Sequence, residues 1–414
     1  MLPLLFLLAC GPASPPGPPS AAAVETVAPP QSPSALTLSE ALRRARTRSP
    51  LRRAADERVE SATIARRRIH RAPNPFFELR AENWGPGGSA RDTFAVVTQT
   101  LELGGKYAGR RREAAAGEDL AKASAATTDW ELAADVIDRY LSALDARGTL
   151  DVLTEHQRSL DELVRILEAR VTEGTAAEAD WRRLEIERTR VQVAVARAGI
   201  ALERELALLS SLVGEPVHAA QLVMPDVPAT LPPITVDISH VSRRPDVRAA
   251  RAEADRLQAV AALERSAGVP DLSVSAGYKG TGGLRTGVAA VGLDIPLFQR
   301  NGAAIARATG EAQAAEHHAG YITERALADA TAEWNAARSL VHEASRLDDA
   351  LLMPAEVVRT AARTAFLEGG GDILRLVDAE RGYAEAAADA LHLRLDALRA
   401  LLQARLSIGE EPLP

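Results

Sequence analysis

Cysteine is nearly missing from this 414-residue chain: Cys10 is its only one, so no intrachain disulfide can form. Aromatic residues make up 4%, too few for a thick globular core, which draws much of its buried area from Phe, Tyr and Trp. No run approaches the roughly 18 apolar residues of a membrane-spanning helix, so any passage through a bilayer must use strands. Positive charge is in deficit, and the net charge of −7 argues against nucleic acid as the main partner. Arg66-Arg67-Arg68 and Arg110-Arg111-Arg112 therefore read as solvated helix faces. Nor is there a catalytic constellation. His317 and His318 are adjacent rather than four apart, and Gly280-Thr281-Gly282-Gly283 lacks the Lys-Ser/Thr and following helix of a phosphate loop. The chain reads as a non-enzyme, with no cofactor and no metal centre.

What is present is Ala, Arg, Glu and Leu, the composition of long helices packed through small residues. It is also duplicated. Pro50 and Pro245 open similar stretches 195 positions apart, and the same offset carries Ala54-Ala55 onto Ala249-Ala250, Pro75 onto Pro270 and Gly174 onto Gly369. The first copy spans 37–213, with a hairpin at 75–101 and long helices at 105–172 and 176–213. The second spans 244–408, with a hairpin at 271–296 and long helices at 303–368 and 372–408, kinked near Pro354. Residues 214–243, rich in proline, connect them, and 409–414 are a tail. Residues 105–172 hold no proline; at 1.5 Å per residue they make a rod about 100 Å long.

Residues 1–10 end in Leu7-Leu8-Ala9-Cys10, the form of a bacterial lipoprotein signal whose cysteine is acylated, although no Lys or Arg precedes it. Residues 11–36 are a Pro/Ser/Ala tether, able to reach on the order of 75 Å when extended.

Both hairpins alternate with period two. Phe77, Leu79 and Ala81 interleave with Glu78, Arg80 and Glu82; Leu272, Val274, Ala276 and Tyr278 interleave with Ser273, Ser275, Gly277 and Lys279. Four such strands cannot close a barrel in lipid, because closure begins at about eight. Three chains would supply twelve. The fold expected is mainly α with a small β part: long antiparallel helices forming an α-helical barrel, four strands per chain completing a trimeric 12-stranded β-barrel, and an internal two-fold repeat. A soluble periplasmic coiled-coil scaffold is the reading from a different class.

The layout over 37–408 resembles the TolC-type outer-membrane efflux channels. Arg363-Thr364-Ala365-Phe366-Leu367-Glu368-Gly369, running into Asp372-Ile373-Leu374 and Asp378-Ala379-Glu380, is similar to the family's second tip, as is Ile295-Pro296-Leu297-Phe298 to the end of its fourth strand. Gln99 to Lys106 resembles the heavy-metal cation branch. The resemblance implies a homotrimeric duct in the outer membrane, with a periplasmic helical tunnel. It would work with a periplasmic adaptor and an inner-membrane pump of the resistance-nodulation-division type. The cargo would be heavy-metal cations or small toxic compounds; the exit duct of a type I secretion system shares the fold. It further implies adaptor docking at Glu173, Gly174, Thr175, Glu368, Gly369 and Gly370. Asp180, Asp378, Arg375 and Phe366 would line the periplasmic aperture. Arg375 stands where another channel-lining Asp can occur, Gly371 where a gating Arg can, and Phe366 takes a Tyr position.

Overall fold

The computed structural model describes residues 35–82 and 91–411. Cys10, nearly all of the expected tether and the far end of the first hairpin lie outside them. Helix α1, Leu38–Arg48, starts where the Thr37 hydroxyl accepts the Glu40 N–H at 3.3 Å. Ser49 then caps α2, Pro50–Arg67, whose first residue is the proline that suits a helix start. Strands β1, Phe76–Glu82, and β2, Asp92–Leu101, lead into α3, Lys106–Thr172, a single rod of 67 residues. Helix α4, Glu178–Val213, returns along it. After the connector come the short α5, Ile238–Val241, then α6, Pro245–Ala267, and strands β3, Leu272–Thr281, and β4, Leu284–Leu293. The next rod is broken. Helix α7, Gly302–Leu347, passes through a π-helical turn at Asp348–Leu352 into α8, Met353–Leu367, and α9, Ile373–Ser407, runs back. The sequence suggested one rod with a kink at Pro354; the wide turn sits just ahead of that proline, which has no N–H to continue the α-helical ladder.

Packing order follows from which helices touch. Next to the sheet α3 lies against α2 and α6, and α6 against α7; toward the far end α3 lies against α4 and α9, and α9 against α7 and α8. The described helices thus lie side by side, with α2 and α4 along one margin and α7 and α8 along the other. Alanine makes the close approach possible. The buried face of α7 is Ala308, Ala312, Ala319, Ala326, Ala330, Ala337 and Ala344, stepping by fours and sevens, with Trp334 and Val341 between. Few aromatics are needed because neighbouring helices mesh through methyl groups.

The main core sits where the connector and the N-terminal segment cross α3, α4 and α9. Tyr140 is its centre and is fully buried. Its hydroxyl accepts the Val223 N–H at 3.0 Å and lies 2.8 Å from Leu36 O and 2.7 Å from Val223 O, the carbonyls it can donate to. A second core, of Leu160, Leu163, Leu167, Leu184, Phe366 and Leu376 among others, closes the far end.

The sheet is antiparallel with order β1-β2-β3-β4, so β2 and β3 join the two hairpins: Val97 faces Ala276 and Thr98 faces Ser275. Gly282 and Gly283 make the second turn with φ of 53° and 95°, the two left-handed residues of a tight hairpin. The two faces differ. Leu79, Val97, Val274 and Val291 share one, and Leu79 and Val291 are 74% and 71% exposed. On the other, the Thr98 and Ser275 hydroxyls meet at 2.8 Å, and the Thr281 hydroxyl donates to Asp92 at 2.5 Å. There the Arg80 guanidinium and Lys279 ammonium lie 4.7 and 4.9 Å from the Phe94 ring centre. Strands β1 and β4 each leave one edge unpaired among the described residues. No helix among those residues is long and apolar enough to cross a membrane.

Candidate functional site

The two helix turns far from the sheet share one construction. At the end of α3, Gly174 has φ 75°; its N–H donates to Val171 O at 3.0 Å and the Thr175 N–H to Arg170 O at 2.8 Å. At the end of α8, Gly369 has φ 83°; its N–H donates to Phe366 O at 3.2 Å and the Gly370 N–H to Ala365 O at 3.0 Å. Both are Schellman caps, with glycine in the left-handed position a Cβ would strain. Glu173, Gly174, Thr175, Glu368, Gly369 and Gly370 are all exposed there. After the second turn Gly371 is packed tightly, for a Cβ on it would stand 2.6 Å from Phe366 N. The Asp372 carboxylate then accepts the Leu374 N–H at 3.1 Å and starts α9. The first turn has no such side-chain cap, and α4 starts at Glu178, after a longer turn than the sequence suggested.

Phe366 requires a correction. The resemblance placed it on the channel lining, but it is 4% exposed and belongs to the apolar core of the tip. A phenyl ring lacks the hydroxyl that would favour water, so burial wins. Arg375 and Asp378 are exposed and Asp180 is half-buried. The fold brings Asp180 and Asp378 to one groove of about 680 Å³ between the starts of α4 and α9; Arg375 does not line it. The two aspartates are not alone there, since Arg182, Arg183, Arg190 and Arg381 share the groove. Asp378 is one of the acids that raise Arg381 above its ordinary value, after the larger effect of the Glu187 hydrogen bond.

Arg170 and Glu187, which the sequence did not mark, tie this end together beside Glu380 of the second-tip motif. Arg170 donates to Phe366 O and Leu367 O and covers the Phe366 ring. Glu187, 8% exposed, accepts from Arg381 at 2.7 Å across from α4 to α9. Glu380, 1% exposed, lies 3.8 Å from the Arg363 guanidinium, and its Oε1 accepts no hydrogen bond among the described residues. An arginine in a last turn or a glutamate in a long helix is ordinary in a sequence, so no local signal sets Arg170 and Glu187 apart. Among the described residues no cluster of three or more His, Cys, Asp or Glu could hold a metal ion.

Comparison with known proteins agrees with this geometry. Residues 240–410 match the family model for the outer membrane efflux protein. The cobalt-zinc-cadmium resistance protein CzcC of Cupriavidus metallidurans is 29% identical over 317 residues, covering 75% of this chain and 74% of its own. The nickel-cobalt-cadmium resistance protein NccC of Alcaligenes xylosoxydans xylosoxydans is 28% identical over 234 residues, 55% of this chain and 53% of its own. A crystal structure of CusC, solved in the context of transmembrane channel formation, superposes with a TM-score of 0.78 at 15% identity, over 90% of this chain and 92% of that one. Residues 240–410 are therefore similar to the outer membrane efflux protein family, in a chain that shares the fold of the CusC structure.

Proposed function

We propose that three copies of this chain form an outer-membrane efflux duct. The observation that carries it is the sheet: four strands, one apolar face, one polar face and two open edges. Unpaired strand edges are not tolerated in lipid. Because the strand number is even, β4 of one copy runs antiparallel to β1 of the next, and three copies close a twelve-stranded barrel with the polar face inward. The helical margins support the same assembly. Ile186, Val193 and Ile200 stand exposed seven residues apart on α4, and Met353, Val357 and Val358 are exposed on α8, the opposite margin. The internal duplication fits as well. Pro50 and Pro245 open α2 and α6, and Gly174 and Gly369 close the tips, both pairs 195 positions apart.

The duct is passive and stands in a tripartite system, its tip turns at Glu173 to Thr175 and Glu368 to Gly370 meeting a periplasmic adaptor that links it to an inner-membrane pump. Its cargo is divalent transition-metal cations, a reading supported by relatives named for resistance to cobalt, zinc, cadmium and nickel. Asp180 and Asp378, tripled around the axis, would form carboxylate rings at the mouth, with Arg375 beside them. Cys10 would carry the lipid anchor. Mass measurement of the detergent-extracted protein tests the assembly: a trimer is expected, and a folded monomer overturns it. For the mouth, Asp378→Ala is expected to change cation block of single-channel conductance; unchanged block removes the ring.

A further inference from the structure

His156 lies on α3 beneath the place where α4 and α9 approach each other. The residue is 8% exposed, and no hydrogen bond to its imidazole is formed among the described residues. It lines a groove of about 310 Å³ whose walls are Val152, Leu153, Val191, Ala194, Ala384 and Ala388. One end of that groove is charged. Glu187 of α4 accepts from Arg381 of α9 at 2.7 Å, and Arg190 approaches Glu187 at 3.4 Å. Glu385 of α9 lines the groove too, and Arg359 of α8, paired with Glu356 and stacked on Tyr383, faces the ring from farther off. Glu187 and Arg381 thus form a strap across the groove, with a buried imidazole under it and an open path to solvent beside it.

We propose that His156 is a proton-operated release for the Glu187–Arg381 strap, so that acidification loosens α4 from α9 in the tip-side half of the rod. Three arginines and three glutamates balance around the neutral ring, and a proton leaves one uncompensated positive charge among them. Glu187 is the acid available to an imidazolium, and it can turn to His156 only by weakening its hold on Arg381. Burial holds the His156 pKa below its ordinary value; Glu187 opposes that shift, and Arg381 and Arg359 add to it. A depressed imidazole pKa means the folded wall favours the neutral ring. The contribution is complete above pH 6.5, the ordinary value, and is lost as pH falls from there through the lower folded value. The release lies within the helices of one chain and depends neither on cargo nor on the number of copies.

The test is hydrogen exchange on the full-length protein, with protection factors for peptides covering 180–195 and 374–388 corrected for the intrinsic rate at pH 7.5 and 5.5. In the native chain, protection is expected to fall roughly fivefold or more on acidification. In His156→Gln it is expected to stay level. Glu187→Gln, which removes the strap and keeps the imidazole, is expected to show low protection at both pH values and no step. A native chain without the step, or a step that survives in either variant, overturns the proposal. If His156→Gln does not fold, the Glu187→Gln arm alone decides.

Discussion

Arg170 places its guanidinium 3.1 Å from Phe366 O and 3.0 Å from Leu367 O, with its centre 4.9 Å from the middle of the Phe366 ring. One side chain from the end of α3 therefore satisfies two end carbonyls of α8 and covers the residue that anchors it. Phe366 is the one buried residue of α8, so the tip of that helix rests on this pair. Phe366→Ala is expected to destabilise the tip by about 3–5 kcal/mol, the cost of emptying a buried phenyl site. Arg170→Ala is expected to cost about 1–3 kcal/mol, and Arg170→Lys nearly as much, because an ammonium cannot reproduce the planar fork. Hydrogen exchange of residues 363–372 reads both, and unchanged protection in Arg170→Ala would show the clamp to be idle.

Tyr140→Phe keeps the ring and removes the hydroxyl that joins α3 to Leu36 and Val223. The Val223 N–H and Leu36 O then lose their partner, at a cost of about 1–3 kcal/mol. Thermal unfolding should show the loss, and limited proteolysis should cut the connector near Val223 sooner than in the native chain.

Acid acts on a different joint. Hydrogen bonds from Lys122 and then Arg66 hold Glu118 at about 2, below its ordinary 4.5. A depressed carboxyl pKa contributes stability above pH 4.5 that is lost as pH falls through about 2. Arg66 lies on α2 and Glu118 on α3, so α2 is expected to loosen from α3 in that window. Glu118→Gln should flatten the acid limb of the stability profile; an unaltered limb would place the sensitivity elsewhere.

On the sheet, Val291→Lys puts a charge on the exposed apolar face. If that face meets lipid, assembly into the membrane should be weakened by about 2–4 kcal/mol near mid-depth. Ser275→Lys, one residue from Val274 and on the opposite face, should be far better tolerated. Equal tolerance in a folding titration into vesicles would remove the assignment of the Val291 face to lipid.

At the second tip, Gly371→Ala forces a methyl group to 2.6 Å from Phe366 N. The turn must shift, which should lower protection of 366–374 more than Gly370→Ala does, where the nearest atom is 4.0 Å away.

The long helices, the hairpins and the two tip glycines could be read from the chain because each is a local matter. Helix formers without proline from 105 to 172 leave the backbone no other regular ladder, alternation sets the faces of β3 and β4, and Gly174 and Gly369 take a backbone angle that other residues resist. The π turn before Pro354, the burial of Phe366 and the partners of Arg170, His156 and Glu187 were decided only in three dimensions. Each depends on which helix lies beside which, with partners from 31 to 225 residues apart in sequence, and a charged residue in a long helix carries no mark of the neighbour that will meet it.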